Sequence, residues 1–71
     1  MEINMVPVKS SNVASVGYDN INKALHIRFL YGGIYQYENV PLPVYHQLLL
    51  AESKGKFINK NLKEYKYKKI N

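Results

Sequence analysis

The sequence contains no cysteine and only short runs of apolar residues, and each of these absences excludes a class of protein. Without cysteine, neither disulfides nor a zinc–cysteine site can stabilise the chain. The longest apolar run, residues 48–51, is far shorter than the roughly 20 residues that span a bilayer. Residues 1–4 show no charged region followed by an apolar one, so we expect no signal peptide. The expected location is the cytoplasm.

A chain of 71 residues allows one small domain, which we place over residues 1–71. Such a domain buries a small core, and large aromatic side chains fill a small core efficiently. The seven tyrosines and two phenylalanines therefore have a structural explanation before any functional one. Residues 1–8 form either an edge strand or a flexible lead-in, since Pro7 cannot donate a hydrogen bond to a neighbouring strand.

Positive charge is concentrated at the C-terminal end. The net charge is +5, from ten Lys and Arg against five Asp and Glu. Up to residue 53 the chain is slightly acidic, whereas the remainder holds Glu64 as its single acidic residue and seven lysines: Lys54, Lys56, Lys60, Lys63, Lys66, Lys68 and Lys69. Such a block suits a polyanion, which it attracts over a distance and from which it releases counterions. The alternative is a solvated tail that keeps the protein soluble.

Three segments predict the strands of an antiparallel meander. They are residues 12–18, 23–29 and 34–40, all rich in residues that favour strands. Turn-forming residues separate them, namely the Asp-Asn pair at the start of residues 19–22 and the glycines at 32–33. In the middle segment Leu25, Ile27 and Phe29 alternate with Ala24, His26 and Arg28, which predicts one core face and one polar face.

Helical signals follow the third strand. Pro41 and Pro43 suit the first turn of a helix, residues 44–51 carry an apolar stripe, and Gly55 is a natural stop. Residues 57–62 predict a short second helix, and residues 65–70 either a short strand or an irregular wrap. The expected fold class is α+β: a three-stranded antiparallel meander, with a fourth short or edge strand as an option, packed against one main helix and a short second one.

The order of motifs along the chain resembles a known family. Tyr35-Gln36-Tyr37 is followed by Val40-Pro41, by A-x-S-K-G-K-F-x-N at residues 51–59, and by Y-x-Y-K-K-I at residues 65–70. This combination resembles the KTSC domain, which is named for its occurrence at the C-terminus of some lysyl-tRNA synthetases. The same domain also occurs alone in short bacterial and phage proteins. The likeness extends from about residue 8 to residue 70.

The resemblance implies little about chemistry. RNA binding is the role suggested for the family, and no catalytic residues or cofactors come with it. Tyr35 and Tyr37 correspond to the family's central Y-x-Y motif. The synthetase context is missing here, so the resemblance does not point to a particular tRNA.

No pattern in the sequence predicts catalysis or metal binding. The carboxylates are scattered, and Ser10 and Ser11 lie in no nucleophile motif. His26 and His46 are isolated, so each is expected to be a surface or hydrogen-bonded histidine rather than a metal ligand. The two glycines at 32–33 match no phosphate-binding motif. We expect a protein that is not an enzyme and needs no cofactor or metal.

The central tyrosine pair has two interpretations. Tyr35 and Tyr37 share one face of their strand because they are two residues apart. On the core face they would pack their rings and send their hydroxyls to the rim. On the open face they would form a two-ring platform beside His26 and Arg28. The small size of the core favours the first interpretation.

The C-terminal tyrosine pair also has two interpretations. Tyr65 and Tyr67 alternate with lysines, a pattern that a nucleic-acid strand would favour, but they could equally pin the tail to the body of the domain. The first interpretation predicts a binding surface for RNA or another single-stranded nucleic acid, formed by Tyr65, Tyr67, Arg28 and the seven lysines at positions 54, 56, 60, 63, 66, 68 and 69. The alternative function is a protein–protein interaction module or a small homodimer, and the expected state is a monomer or weak homodimer.

Overall fold

Five antiparallel strands form one sheet in the computed structural model, which describes residues 4–71. The strands lie in the order β1–β2–β3–β4–β5, so each pairs with its neighbours along the chain. The elements are β1 Val6–Pro7, β2 Val13–Asp19, β3 Ala24–Phe29, β4 Ile34–Tyr37, α1 Leu42–Leu50, α2 Lys54–Asn61 and β5 Tyr67–Lys69. The predicted α+β meander with two helices is confirmed, but the sheet has more strands than the three or four that we expected.

The two additional strands are the short outer ones. β1 pairs with β2 through Val6 opposite Val16, which makes it the predicted edge strand; residues 1–3 of the predicted lead-in lie outside the described residues. β5 pairs with β4 through Tyr67 opposite Tyr37 and Lys69 opposite Tyr35. The tail is therefore a strand rather than an irregular wrap.

The turns form where the sequence places them. The Asp19 carboxylate accepts hydrogen bonds from the backbone N–H groups of Ile21 and Asn22, at 3.0 and 3.2 Å. At the next turn Gly32 and Gly33 adopt φ angles of 112° and 90°, which glycine adopts at little cost. β4 ends at Tyr37, earlier than predicted, because Asn39 takes a left-handed φ of 56° and turns the chain toward α1.

The boundary between the helices differs from the prediction. α1 begins after Pro41 as expected but ends at Leu50, whereas we placed its end at Gly55. Ser53 instead caps a new helix, because its Oγ accepts a hydrogen bond from the backbone N–H of Lys56 at 3.3 Å. Gly55 consequently lies in the first turn of α2.

The core lies between one face of the sheet and the two helices. Its fully buried side chains come from β2, β3 and α1 and from the residues that follow β4 and α2: Val13, Val16, Leu25, Ile27, Val40, Leu48 and Leu62. Leu25 and Ile27 are the alternating core residues predicted for β3. Burial of a side chain of this size contributes roughly 1.5–3 kcal/mol. The same alternation turns His26 and Arg28 to the opposite, open face.

Candidate functional site

Tyr35 and Tyr37 project from the face of the sheet that carries the helices. Tyr35 lies opposite Ile27, and Tyr37 lies opposite Leu25, in the β3–β4 register. Residues directly opposite each other project to the same face, so both tyrosines join the core side. Tyr37 is only 7% exposed. The alternative of a two-ring platform on the open face, beside His26 and Arg28, is therefore wrong.

Five aromatic rings on this side of the sheet form a continuous row. Phe29 stacks on Tyr31 with ring centroids 5.2 Å apart and meets Tyr35 edge-on at 5.5 Å. Tyr67, from β5, then contacts both Tyr35 and Tyr37, at 5.9 and 5.4 Å. We call these five residues the aromatic row. Such ring pairs contribute about 0.5–1.5 kcal/mol beyond their buried area.

Only Tyr31, at the hairpin end of the row, and Tyr67, from β5, are largely open to solvent. Tyr31 is 75% exposed and Tyr67 is 57% exposed, whereas Phe29 and Tyr35 are half-buried. One face of the Tyr31 ring is covered by Phe29, since the two planes are only 20° apart. The row thus combines rings that are fixed by packing with two rings that offer free surface.

An open groove of about 630 Å³ runs between the aromatic row and α2. Its second wall consists of residues from α2 and its ends, together with the loop before β2: Ser11, Asn12, Ser53, Gly55, Lys56, Ile58, Asn59, Leu62 and Lys63. Two of these lining residues are lysines, and none is acidic. Within the part of the chain that the structure describes, the groove is therefore an aromatic surface facing positive charge.

The side chain of Asn12 packs closely against Gly55 at the start of α2, and we call this end of the groove its head. A Cβ atom on Gly55 would lie 2.9 Å from Oδ1 of Asn12, so glycine allows α2 to start against the loop. Ser10 holds that loop, because its Oγ accepts hydrogen bonds from the backbone N–H groups of Asn12 and Val13, both at 3.1 Å. The neutral amide of Asn12 is thereby positioned at the groove.

The lysines predicted to form one binding surface lie in several places. Lys56 and Lys63 line the groove. Lys54 does not, because its ammonium donates to the carbonyl oxygens of Ala51 and Leu49, at 2.6 and 3.1 Å, at the C-terminal end of α1. Lys69 lies opposite Tyr35, and its Cε passes 3.0 Å from the position of a Cβ on Gly33.

The other predicted cations point elsewhere. Lys68 lies opposite Gln36, in the same cross-strand row as His26, and so belongs to the open face with Arg28. Lys60 and Lys66 are exposed outside the groove lining. A single continuous surface of seven lysines is therefore not present, and two of them, Lys56 and Lys63, belong to the groove.

The C-terminal tyrosine pair is divided between two roles. Tyr65 is half-buried against the core, and its backbone N–H donates to the carbonyl of Leu62 at 3.2 Å. Tyr65 therefore attaches the tail to the body of the domain, as the second of the two interpretations predicted. Tyr67 instead enters the aromatic row and lines the groove, where a ligand could stack on it.

Burial shifts the pKa of one side chain at the groove and of one side chain on the opposite face of the sheet. Burial raises the pKa of the Tyr37 phenol above its ordinary 10.0, so this hydroxyl stays protonated at neutral pH. On the opposite face of the sheet, burial lowers the pKa of His26 below 6.5, against the opposing effects of a hydrogen bond with Gln36 and the charge of Asp19. His26 is therefore mainly neutral at pH 7 and remote from the groove.

Residues 4–71 contain no group of three or more His, Asp or Glu side chains placed to hold a metal ion. His26 lies on the open face of the sheet, and His46 lies in α1. In the same part of the chain, no helix is both long enough and apolar enough to cross a membrane.

Several groove residues were not predicted from the sequence. Phe29 and Tyr31 belong to the row because the tight β3–β4 turn brings them beside Tyr35. A signal for Phe29 was present, since it shares the core face of the predicted strand. No local pattern indicates Asn12 or Asn59, because their position depends on how α2 packs against the loop before β2.

The chain is similar to other small proteins over most of its length. The family model for the KTSC domain matches residues 9–67. A protein of Tsukamurella paurometabola is 46% identical over 55 residues, which cover 78% of this chain and 82% of that one. An uncharacterized protein of Stutzerimonas stutzeri is 38% identical over 63 residues, or 89% of each chain.

A solved structure shows the same fold. The crystal structure of a KTSC domain protein from Yersinia pestis superposes with a TM-score of 0.94 at 37% sequence identity, covering 99% of this chain and 100% of that one. The family match spans well over half of the chain and agrees with the resemblance seen in the Y-x-Y and Val-Pro motifs. The chain belongs to the KTSC domain family.

Proposed function

We propose that this protein is a small non-enzymatic module that binds RNA in the groove between the aromatic row and α2. The observation that carries the proposal is the pairing of exposed aromatic rings with lysines in a groove whose described lining holds no carboxylate. The two lysines disfavour a cationic ligand, whereas a chain of planar bases joined by phosphates complements both walls of the groove.

The roles follow from position. Lys56 and Lys63 neutralise phosphates, and Tyr31 and Tyr67 provide ring surface for bases. The lysines outside the groove and Arg28 add long-range attraction through the net charge of +5. Binding is accordingly dependent on salt and weakly dependent on sequence. The cytoplasmic location expected from the sequence is part of this proposal.

An NMR titration of the isotope-labelled protein with a short single-stranded RNA, at two salt concentrations, tests the proposal. We expect shifts centred on the groove residues, which weaken at the higher salt concentration. Two variants of equal net charge sharpen the test, namely Lys56→Gln with Lys63→Gln, and Lys60→Gln with Lys66→Gln.

The groove variant should lose clearly more affinity than the control variant, because only its lysines line the groove. Equal losses in the two variants would mean that the charge acts diffusely and that the groove is not the site. An absence of shifts at low salt would remove RNA as the ligand.

A protein partner is the second candidate, favoured by the outer edge of the sheet. β5 pairs with β4 on one side alone among the described strands, and a strand of another protein could add to its free side. A partner captured from lysate that survives nuclease and high salt would support this function. Sedimentation at two protein concentrations tests the related expectation of a monomer or weak homodimer.

A further inference from the structure

We infer that the groove accepts a short unpaired segment of about two to three nucleotides and excludes a duplex. This inference rests on the proposed function, since it specifies the ligand of the same groove. It depends on three features of the described residues: the number of exposed rings, the spacing of the lysines, and the neutral polar groups that line the groove.

The exposed rings limit the number of stacked bases. Tyr31 and Tyr67 are the two members of the aromatic row with free surface, and Phe29 and Tyr35 lie between them in the row. Phe29 and Tyr35 pack edge-on against each other, with ring centroids 5.5 Å apart. The groove therefore offers two separate stacking positions, one on Tyr31 and one on Tyr67, rather than a long platform.

The spacing of the two groove lysines fits a segment of the same short length. Lys56 lies in the first turn of α2 and Lys63 lies two residues beyond the end of the helix at Asn61. The part of the helix between them, residues 56–61, spans roughly 7–8 Å along the axis. Two cations at that separation can contact two phosphates of one strand. The groove volume of about 630 Å³ is within the range of roughly 300–1,000 Å³ that is typical of pockets for small ligands.

Neutral polar groups also line the groove. Asn59 and Asn12 line the wall that faces the rings, and an amide can both donate to and accept from the edge of a base. In a duplex the Watson–Crick edges are paired and the bases are stacked on one another, so neither the amides nor the rings could reach them. An unpaired segment presents both edges and ring faces.

A length series measures the footprint directly. The full chain is titrated at one low salt concentration with oligouridine and oligoadenine of two, three, four, six and ten nucleotides, with a blunt RNA duplex, and with DNA of matched sequence. We expect affinity to rise up to about three nucleotides and then to increase only in proportion to the number of equivalent positions on a longer strand. The duplex should bind far more weakly.

Ring variants identify the stacking positions. Tyr31→Leu and Tyr67→Leu should each weaken binding by about five- to hundredfold, whereas Tyr31→Phe and Tyr67→Phe should retain it, because stacking needs the ring and not the hydroxyl. Both side chains are exposed, so these changes leave the fold intact, which the amide spectrum of each variant verifies.

The possible results distinguish a failure of the short footprint from a failure of the proposed RNA binding. Affinity that climbs steeply up to ten nucleotides, or a duplex that binds as well as a single strand, would overturn the short footprint while leaving RNA binding in place. Single-stranded DNA that binds equally well would keep the footprint and assign the recognition to bases and phosphates rather than to the ribose. If no oligonucleotide shifts the groove residues at low salt, the proposed function itself is wrong.

Discussion

Asn12 and Gly55 touch across the head of the groove, where Oδ1 of Asn12 occupies the space that a Cβ on residue 55 would need. The contact joins the loop before β2 to the first turn of α2, which are far apart in sequence. Gly55 has an ordinary negative φ, so its role is to leave space rather than to permit a special conformation.

We expect Gly55→Ala to stabilise the protein more in an Asn12→Ala background than in the wild type. Alanine is favoured over glycine within a helix by up to about 1 kcal/mol, but in the wild type the new Cβ must displace the Asn12 side chain. The free energies of unfolding of the four proteins in this double-mutant cycle measure the coupling. Identical effects of Gly55→Ala in both backgrounds would show that displacing the Asn12 side chain has no free-energy cost.

Lys54→Met should destabilise the protein by about 0.5–2 kcal/mol. The substitution keeps the aliphatic stem but removes the ammonium that bonds two carbonyls at the end of α1. Lys66→Met is the matched control, because Lys66 is exposed and its ammonium has no hydrogen bond within the described residues. Chemical denaturation of both variants tests the difference, and equal stability of the two would contradict this role of Lys54.

The stability of the protein should fall above about pH 10, in part because of Tyr37. Burial raises the pKa of this phenol in the folded protein. The unfolded chain therefore ionises first, and stability declines as the pH rises from the unfolded pKa through the folded one. Tyr37→Phe removes this contribution, so its stability should fall less steeply than that of the wild type in unfolding curves between pH 8 and 11. Parallel curves would show that Tyr37 does not contribute.

Asp19 should contribute to stability in the opposite pH range. Hydrogen bonds from the Asn22 side chain and backbone are the main cause that lowers the pKa of this carboxyl below 3.8. Its stabilising effect is fully present above that unfolded value and is lost as the pH falls through the lower, folded pKa. Asp19→Ala should be less stable than the wild type at pH 7, and the difference should shrink as the pH is lowered toward 2. A difference that does not change with pH would contradict this account.

The sequence predicted those parts of the fold that depend on local patterns. Alternation in residues 23–29 placed Leu25 and Ile27 in the core, because side chains on a strand alternate between faces. The turn residues at 19–22 and 32–33 located both hairpins. The end of α1 was misplaced because Gly55 was taken as a stop, although Ser53, two residues earlier, is a typical N-cap.

The groove depends on contacts that no local pattern contains. Tyr67 reaches Tyr35 only because β5 returns to pair with β4 after two helices. The direction of that return is set by the packing of Leu48, Ile58 and Leu62 against the sheet. The sequence identified Lys56, Lys63 and Tyr67 as candidates by composition, but it could not separate them from Lys54 or Tyr65, whose side chains serve the fold.

Among the described strands, β1 and β5 each have one unpaired edge, and we expect both edges to resist pairing with another copy of the protein. β1 has only two residues and one of them is Pro7, which cannot offer an N–H to a neighbouring chain. At the other edge, two copies of β5 aligned antiparallel would bring Lys66, Lys68 and Lys69 of each against those of the other. Repulsion between these lysines opposes edge-to-edge pairing of two copies. It should therefore favour colloidal stability at high protein concentration, whether or not a ligand is present.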